Sequence, residues 1–163
     1  AKKPLGPYYY LRGIIFFKQG EFDRAVDEYT QCLATLEKPS PLILTARAEA
    51  RIEAGNLADA LQDCDDALAI APQYTPAQTA RGWALYEQKK YDAALIDLQK
   101  ALAVDPQFAK AYLIRSWAHD ALGKHELAKA DLEKTLELDP LSAAARNSLA
   151  WLQATIPTAK FYD

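Results

Sequence analysis

Apolar residues recur three and four positions apart along this chain, interleaved with Ala and Gly, in stretches of about 13 to 15 residues. That spacing lays one apolar stripe along one side of a helix. Between the stretches lie short breaks that carry helix-stop chemistry. Gln19-Gly20, Ala54-Gly55 and Leu122-Gly123 each supply a glycine that can take the left-handed conformation ending a helix, and Gln88-Lys89 occupies the equivalent place. Ser40-Pro41 and Thr75-Pro76 pair a hydroxyl suited to an N-cap with a proline suited to the first helical turn. The pattern predicts helical hairpins following one another along the chain.

The hairpins repeat. Asp105-Pro106 and Asp139-Pro140 follow Ala71-Pro72 at intervals of 34 residues, and the same interval relates Ala60, Ala94 and Ala128, and Leu68, Leu102 and Leu136. Ala25 and Leu33 lie one interval earlier with one residue added. Four units result, over residues 6–40, 41–74, 75–108 and 109–142, and a fifth half-unit with a tail covers 143–163. Ser142 is placed to cap the last helix, and Ile156-Pro157 stops it. The small columns Gly13, Ala48, Gly82, Ser116 and Ala25, Ala60, Ala94, Ala128 make sense if backbones approach closely where the two helices of a unit cross.

In this register Arg81-Gly82-Trp83-Ala84 through Tyr91, Ala94, Leu98, Ala101 and Pro106 resembles the tetratricopeptide repeat family, and the likeness extends over about nine-tenths of the chain. The resemblance implies an all-α fold: a right-handed superhelix, or solenoid, of four helical hairpins and a C-terminal capping helix, forming one domain over residues 1–163. It also implies a protein-interaction scaffold with no enzymatic activity and no cofactor. Arg51 and His119 depart from the pattern, standing where the family places a large aromatic such as Phe16, and the first unit lacks the closing proline after Leu36.

A charge pattern runs through the units. Arg12, Arg47, Arg81 and Arg115 sit on the first helices, and sixteen residues later Glu28, Asp63, Asp97 and Asp131 sit on the second. With the turn midway between them, each pair comes level in an antiparallel hairpin, so a structural ladder of Arg–carboxylate bridges is expected.

A stack of such units curls and leaves a concave face. In the family that face is lined by first helices, opposite the small-residue columns, which in this sequence gives Tyr10, Ile14, Phe17; Thr45, Glu49, Ile52; Thr79, Trp83, Tyr86; Leu113, Trp117, Asp120; and Asn147, Trp151, Ala154. Trp83, Trp117 and Trp151 fall one repeat apart on it, the arrangement of aromatic anchors for a bound peptide. Glu49, Glu53, Glu87 and Asp120 make it acidic against Lys18 and Lys110, which points to a peptide with apolar or proline anchors and a basic flank. Two other readings stand beside this one: the indoles pack between neighbouring helices, or the tail from Thr155 to Asp163 or a second copy covers them. Self-association through the groove or the C-terminal cap, with Phe161 and Tyr162 folding back as a further possibility, is the alternative function. The family's grip on acidic chaperone tails would use Tyr10, Ile14, Ala46, Pro76 and Ala80 here, none of which is the basic or amide residue required, so such a tail is not the expected ligand.

Composition narrows the field further. Nineteen basic and 22 acidic residues give a formal charge of −3, and no short window is dominated by Lys and Arg, which disfavours a nucleic-acid partner. No apolar run is long enough for a membrane span, so no membrane insertion is expected. Cys32 and Cys64 lack metal-ligand spacing and read as buried free thiols, consistent with a cytoplasmic setting; His119 and His125 form no metal set. Ser116 and His119 lie one turn apart, but Ser116 belongs to a packing column, and no nucleophile, phosphate loop or metal cluster supports catalysis. The absence of methionine, even at residue 1, suggests a trimmed chain.

Overall fold

A computed structural model describes residues 5–155. The described residues form nine helices and no strand: α1 Gly6–Lys18, α2 Phe22–Ala34, α3 Pro41–Glu53, α4 Leu57–Ile70, α5 Thr75–Glu87, α6 Tyr91–Val104, α7 Ala109–Ala121, α8 His125–Leu138 and α9 Ala143–Thr155. Odd-numbered helices are the first helices of each unit and even-numbered ones the second. Each first helix packs on its own second helix, each second helix on the next first helix, and α3, α5 and α7 also touch one another along the inner side. That connectivity is a solenoid in which every layer is held by its neighbours.

The hairpin turns need a backbone that L side chains resist. Gly20, Gly55 and Gly123 have φ of 77°, 82° and 71°, and Lys89 adopts φ 62° in the same place without glycine's freedom. The helix starts differ from the expected capping. Ser40 precedes Pro41 but makes no side-chain cap bond, and Thr75 is the first residue of α5 with Tyr74 before it. Proline's fixed φ in the first turn and the apolar packing of the N-terminal halves are enough to start both helices. Ser142 does cap α9: its Oγ accepts from the Ala145 N–H at 3.3 Å.

Close approach accounts for the small columns. Ala25, Ala60, Ala94 and Ala128 are fully buried where each second helix crosses its first. A Cβ on Gly82 would stand 2.8 Å from Leu98 Cγ and 3.4 Å from the Ala94 carbonyl oxygen, so a side chain there requires Leu98 or the α5–α6 crossing to shift. Around this crossing lies the central core, in which Ala80, Trp83, Leu98, Leu102 and Ile114 pack together. A second cluster ties α1, α2 and α3 through Tyr29, Cys32 and Ile43, and a third joins Leu44, Ala67 and Ala77. Both cysteines are buried free thiols, and burial raises the Cys64 thiol pKa far above its ordinary value, which keeps it protonated and unreactive. No helix among the described residues is long and apolar enough to cross a membrane.

Candidate functional site

Two sets of polar side chains run the length of the stack, one inside the hairpins and one on the concave face. Inside the hairpins, Arg12 meets Glu28, and the other three arginines bind their acids through two nitrogens each. The distances are 2.9 and 2.6 Å for Arg47–Asp63, 2.7 and 3.0 Å for Arg81–Asp97, and 2.8 and 2.6 Å for Arg115–Asp131. The four carboxylates are buried. A buried carboxylate needs a partner in place, and the planar guanidinium supplies two parallel donors.

The ladder reaches further than the sixteen-residue spacing foretells. Arg81 also binds Asp65 of the preceding unit at 2.7 Å, and Arg47 donates to Thr30 Oγ1 at 3.1 Å, so these arginines sew adjacent layers together. Hydrogen bonding to Asp97 raises the Arg81 pKa, with burial opposing and Asp65 adding to the rise. These groups stabilise the stack.

On the concave face, the N-terminal end holds a cleft of about 290 Å³ whose lining includes Tyr10, Ile14, Phe17, Thr45, Glu49 and Tyr74. Its back wall contains Tyr29, which comes from a second helix and was not foreseen. The signal was present: Tyr29 stands opposite Gly13, whose missing side chain leaves room for the ring. Burial lifts the Tyr29 phenol pKa well above its usual value, and Tyr10 and Glu49 add to the shift. The Thr45 hydroxyl is buried in this wall without a hydrogen-bond partner.

At the centre, the expected row of three solvent-facing indoles is not found. Trp83 is only 9% exposed and belongs to the central core, because α3 and α7 close over it on both sides. Its Nε1–H donates to Glu87 at 3.2 Å, and the Lys110 ammonium lies 4.8 Å from the ring centroid. Lys110 in turn pairs with Glu49 at 2.7 Å, a bridge from α7 to α3 that passes over α5. Trp83 is therefore a packing residue with a polar edge. Tyr86, half-buried beside it, stacks obliquely on Trp117 with centroids 5.9 Å apart. The Glu53 carboxyl is pushed above its ordinary pKa by burial first, with Lys110 opposing and Glu87 and Glu49 reinforcing. More negative charge gathers here than Lys110 neutralises.

Toward the C-terminal end the face opens. Trp117 is half-buried and donates from Nε1 to Ser148 Oγ at 3.1 Å, which ties α7 to α9. Trp151 is 67% exposed. Between them is a cleft of about 370 Å³, floored by Leu132 and Leu152 and edged by Asp120 and Asn147. Asp120 pairs with His125 Nδ1 at 2.8 Å. The indoles are thus graded from covered to open along the stack. Folding back of Phe161 and Tyr162 concerns residues outside the described ones. Ser116 is buried and donates to the Leu113 carbonyl at 2.6 Å, a packing role.

Comparison with known proteins places this geometry among relatives. Tetratricopeptide repeat profiles match residues 10–75, 76–108 and 109–140. Human RNA polymerase II-associated protein 3 is 35% identical over 79 residues, which is 48% of this chain and 12% of that protein, so the chain spans a small part of that relative's length. The first TPR of Spaghetti (RPAP3), solved bound to HSP90 peptide SRMEEVD, is 30% identical, with 70% of this chain and 90% of that one covered and a TM-score of 0.64. A thermophilic TPR protein of Thermus thermophilus shares the fold at a TM-score of 0.86 with 21% identity, over 93% of this chain and 83% of that one. The repeated profiles and the peptide-bound relative agree with the nine-helix stack, and the chain belongs to the tetratricopeptide repeat family.

Proposed function

We propose that this chain is a non-enzymatic protein-interaction adaptor whose concave face takes a peptide segment with apolar anchors and at least one Lys or Arg. The single observation that carries the charge preference is the crowding of Glu53 by Glu49 and Glu87 around one ammonium, that of Lys110. An arriving cation would relieve that crowding, and an arriving carboxylate would deepen it. Apolar side chains find floors in the two clefts, against Tyr10, Phe17 and Tyr74 at one end and against Trp151, Leu132 and Leu152 at the other. Trp83 contributes as the support under Lys110 and Glu87, while Trp151 and Trp117 are the indoles within reach of a partner.

The relative solved with an HSP90 peptide supports peptide capture by this kind of stack. Its peptide, SRMEEVD, is acidic toward its end, and the family resemblance would assign the grip on such a tail to Tyr10, Ile14, Ala46, Pro76 and Ala80 in this chain, none of them basic or an amide. With no donor charge at those places, the same fold is turned toward the opposite charge. Panning a random peptide display library on the protein tests the proposal. Recovered peptides should be rich in Lys or Arg with aromatic, aliphatic or proline neighbours, and the enrichment should vanish on a Glu53→Lys, Glu87→Lys, Trp151→Ala triple variant. Recovery of acidic peptides, or an unchanged yield on the variant, would refute it.

A further inference from the structure

The cleft at the N-terminal end of the concave face carries a buried hydroxyl that the fold does not use. Thr45 lines this cleft and is 4% exposed, and its Oγ1 has no hydrogen-bond partner. Other helical threonines turn back on the carbonyl one turn earlier: Thr30 donates to Val26 at 2.8 Å and Thr135 to Asp131 at 2.8 Å. Thr79, the counterpart of Thr45 in the next unit, is also unpartnered but is enclosed on every side. An unpaired hydroxyl buried beside a cleft is destabilising by itself, and a ligand that brings a partner removes the penalty.

The surroundings of Thr45 say what shape that ligand has. Tyr10 and Phe17 of α1, Tyr29 of α2 and Tyr74 before α5 stand around it, with the Tyr10 and Tyr29 centroids 6.0 Å apart. Ring walls favour a ring guest, through offset and edge-to-face contacts. The volume, about 290 Å³, lies at the lower end of pockets that take small molecules, roughly 300 Å³, so it suits one large side chain. An aliphatic side chain would leave part of it without contacts. Glu49 also lines the cleft, which favours the positive edge of a ring and an O–H or N–H dipole and opposes a carboxylate.

The cleft does not depend on what packs on α1 from its other side. At about 100° per residue, Tyr8 and Ile15 stand opposite Tyr10 and Phe17 on that helix. Where a second helix packs on the next first helix it meets the columns of Tyr8 and Ile15, as α2 meets Ile43 and Ala50.

We propose that this cleft is the anchor subsite for the peptide of the concave face, and that it takes an aromatic side chain bearing an O–H or N–H, that of tyrosine or tryptophan, whose polar edge pairs with the Thr45 hydroxyl. The inference rests on the peptide-binding reading for its occupant and adds which residue is selected. Phenylalanine fills the same space and leaves Thr45 unpaired; leucine also leaves space unfilled.

Amide chemical-shift titrations of the whole chain with N-acetyl-tyrosinamide, N-acetyl-phenylalaninamide and N-acetyl-leucinamide test this. The tyrosine probe should shift the Thr45 and Ala46 signals and bind about threefold more tightly than the phenylalanine probe and about tenfold more tightly than the leucine probe. Thr45→Val should erase the gap between tyrosine and phenylalanine with a urea midpoint that is unchanged or raised, and Thr45→Ser should keep the gap. No shifts around Thr45, or a gap that survives Thr45→Val, would overturn the proposal. The probes carry no cation, so such a failure alongside recovery of basic peptides strikes the anchor alone. Tyrosine binding with no basic peptide recovered supports the subsite and strikes the charge preference instead.

Discussion

Arg51 donates from Nη1 to Asp63 Oδ2 at 2.6 Å, in the place where the first unit puts the ring of Phe16. Asp63 consequently holds two guanidinium groups, those of Arg47 and Arg51, and Arg51 also donates to the Asp59 carbonyl at 3.1 Å. A family position that normally packs an aromatic has been converted into a second rung of the charge ladder.

Removing the shared acid should cost more than removing either base. Asp63→Ala strands two partly buried cations, and the expected loss is about 3 to 5 kcal/mol in urea unfolding. Arg51→Phe, which restores an aromatic and leaves Arg47 on the acid, should fall within about 1.5 kcal/mol of the unaltered chain. A loss from Arg51→Phe equal to that of Asp63→Ala would contradict this account of the departure.

His119 fills the same column two units along, half-buried, with Nδ1 unpartnered and Nε2 3.8 Å from Asp131. Burial lowers its pKa, Arg115 and Lys124 lower it further, and Asp131 opposes them. The folded chain thus binds this proton less readily than the unfolded chain. Its contribution to stability is present above the unfolded value of about 6.5 and is lost as pH falls through the unfolded pKa toward the folded one. His119→Phe should flatten the stability profile across that window, as read by urea midpoints from pH 7.5 to 5; an identical slope in both proteins would contradict the assignment.

Gly82 measures how tightly the hairpins close. Ala there would press its methyl on Leu98 and on the Ala94 carbonyl, and the expected cost is about 1 to 3 kcal/mol, read as a lower thermal midpoint with an unchanged helical spectrum.

The graded tryptophans separate stability from capture. Trp83→Ala opens a cavity in the central core and should cost about 3 to 5 kcal/mol. Trp151→Ala should change stability by no more than about 0.5 kcal/mol and instead weaken peptide capture. Equal stability losses would mean that the indoles do not differ in burial.

How much of this was legible beforehand follows from what a repeat encodes. The starts of α1, α3, α5, α7 and α9 at Gly6, Pro41, Thr75, Ala109 and Ala143 could be read because stacking imposes the same columns on every unit. The Arg–acid contacts could be read because an antiparallel hairpin fixes which residues lie level. Column reading fails where a side chain reaches outside its own hairpin. Trp83, Trp117 and Trp151 share one column yet differ in exposure, because α3 and α7 flank Trp83, whereas α9 leaves Trp151 uncovered among the described residues. The Glu49–Lys110 bridge links units two apart, and only the curl of the stack brings those groups together. The caps expected of Ser40 and Thr75 failed for a local reason, since proline already fixes the first turn.

The most direct test of a cation-seeking groove is a pair of calorimetric titrations with two peptides of one length: SRMEEVD, and SRMKKVK, which keeps the apolar residues and replaces every acid with lysine. Two partly exposed charge pairs are together worth roughly 1.4 kcal/mol, so the lysine peptide should bind about tenfold more tightly. That advantage should reverse on a Glu53→Lys, Glu87→Lys variant. Tighter binding of SRMEEVD to the unaltered chain, or a preference indifferent to those two substitutions, would contradict the account.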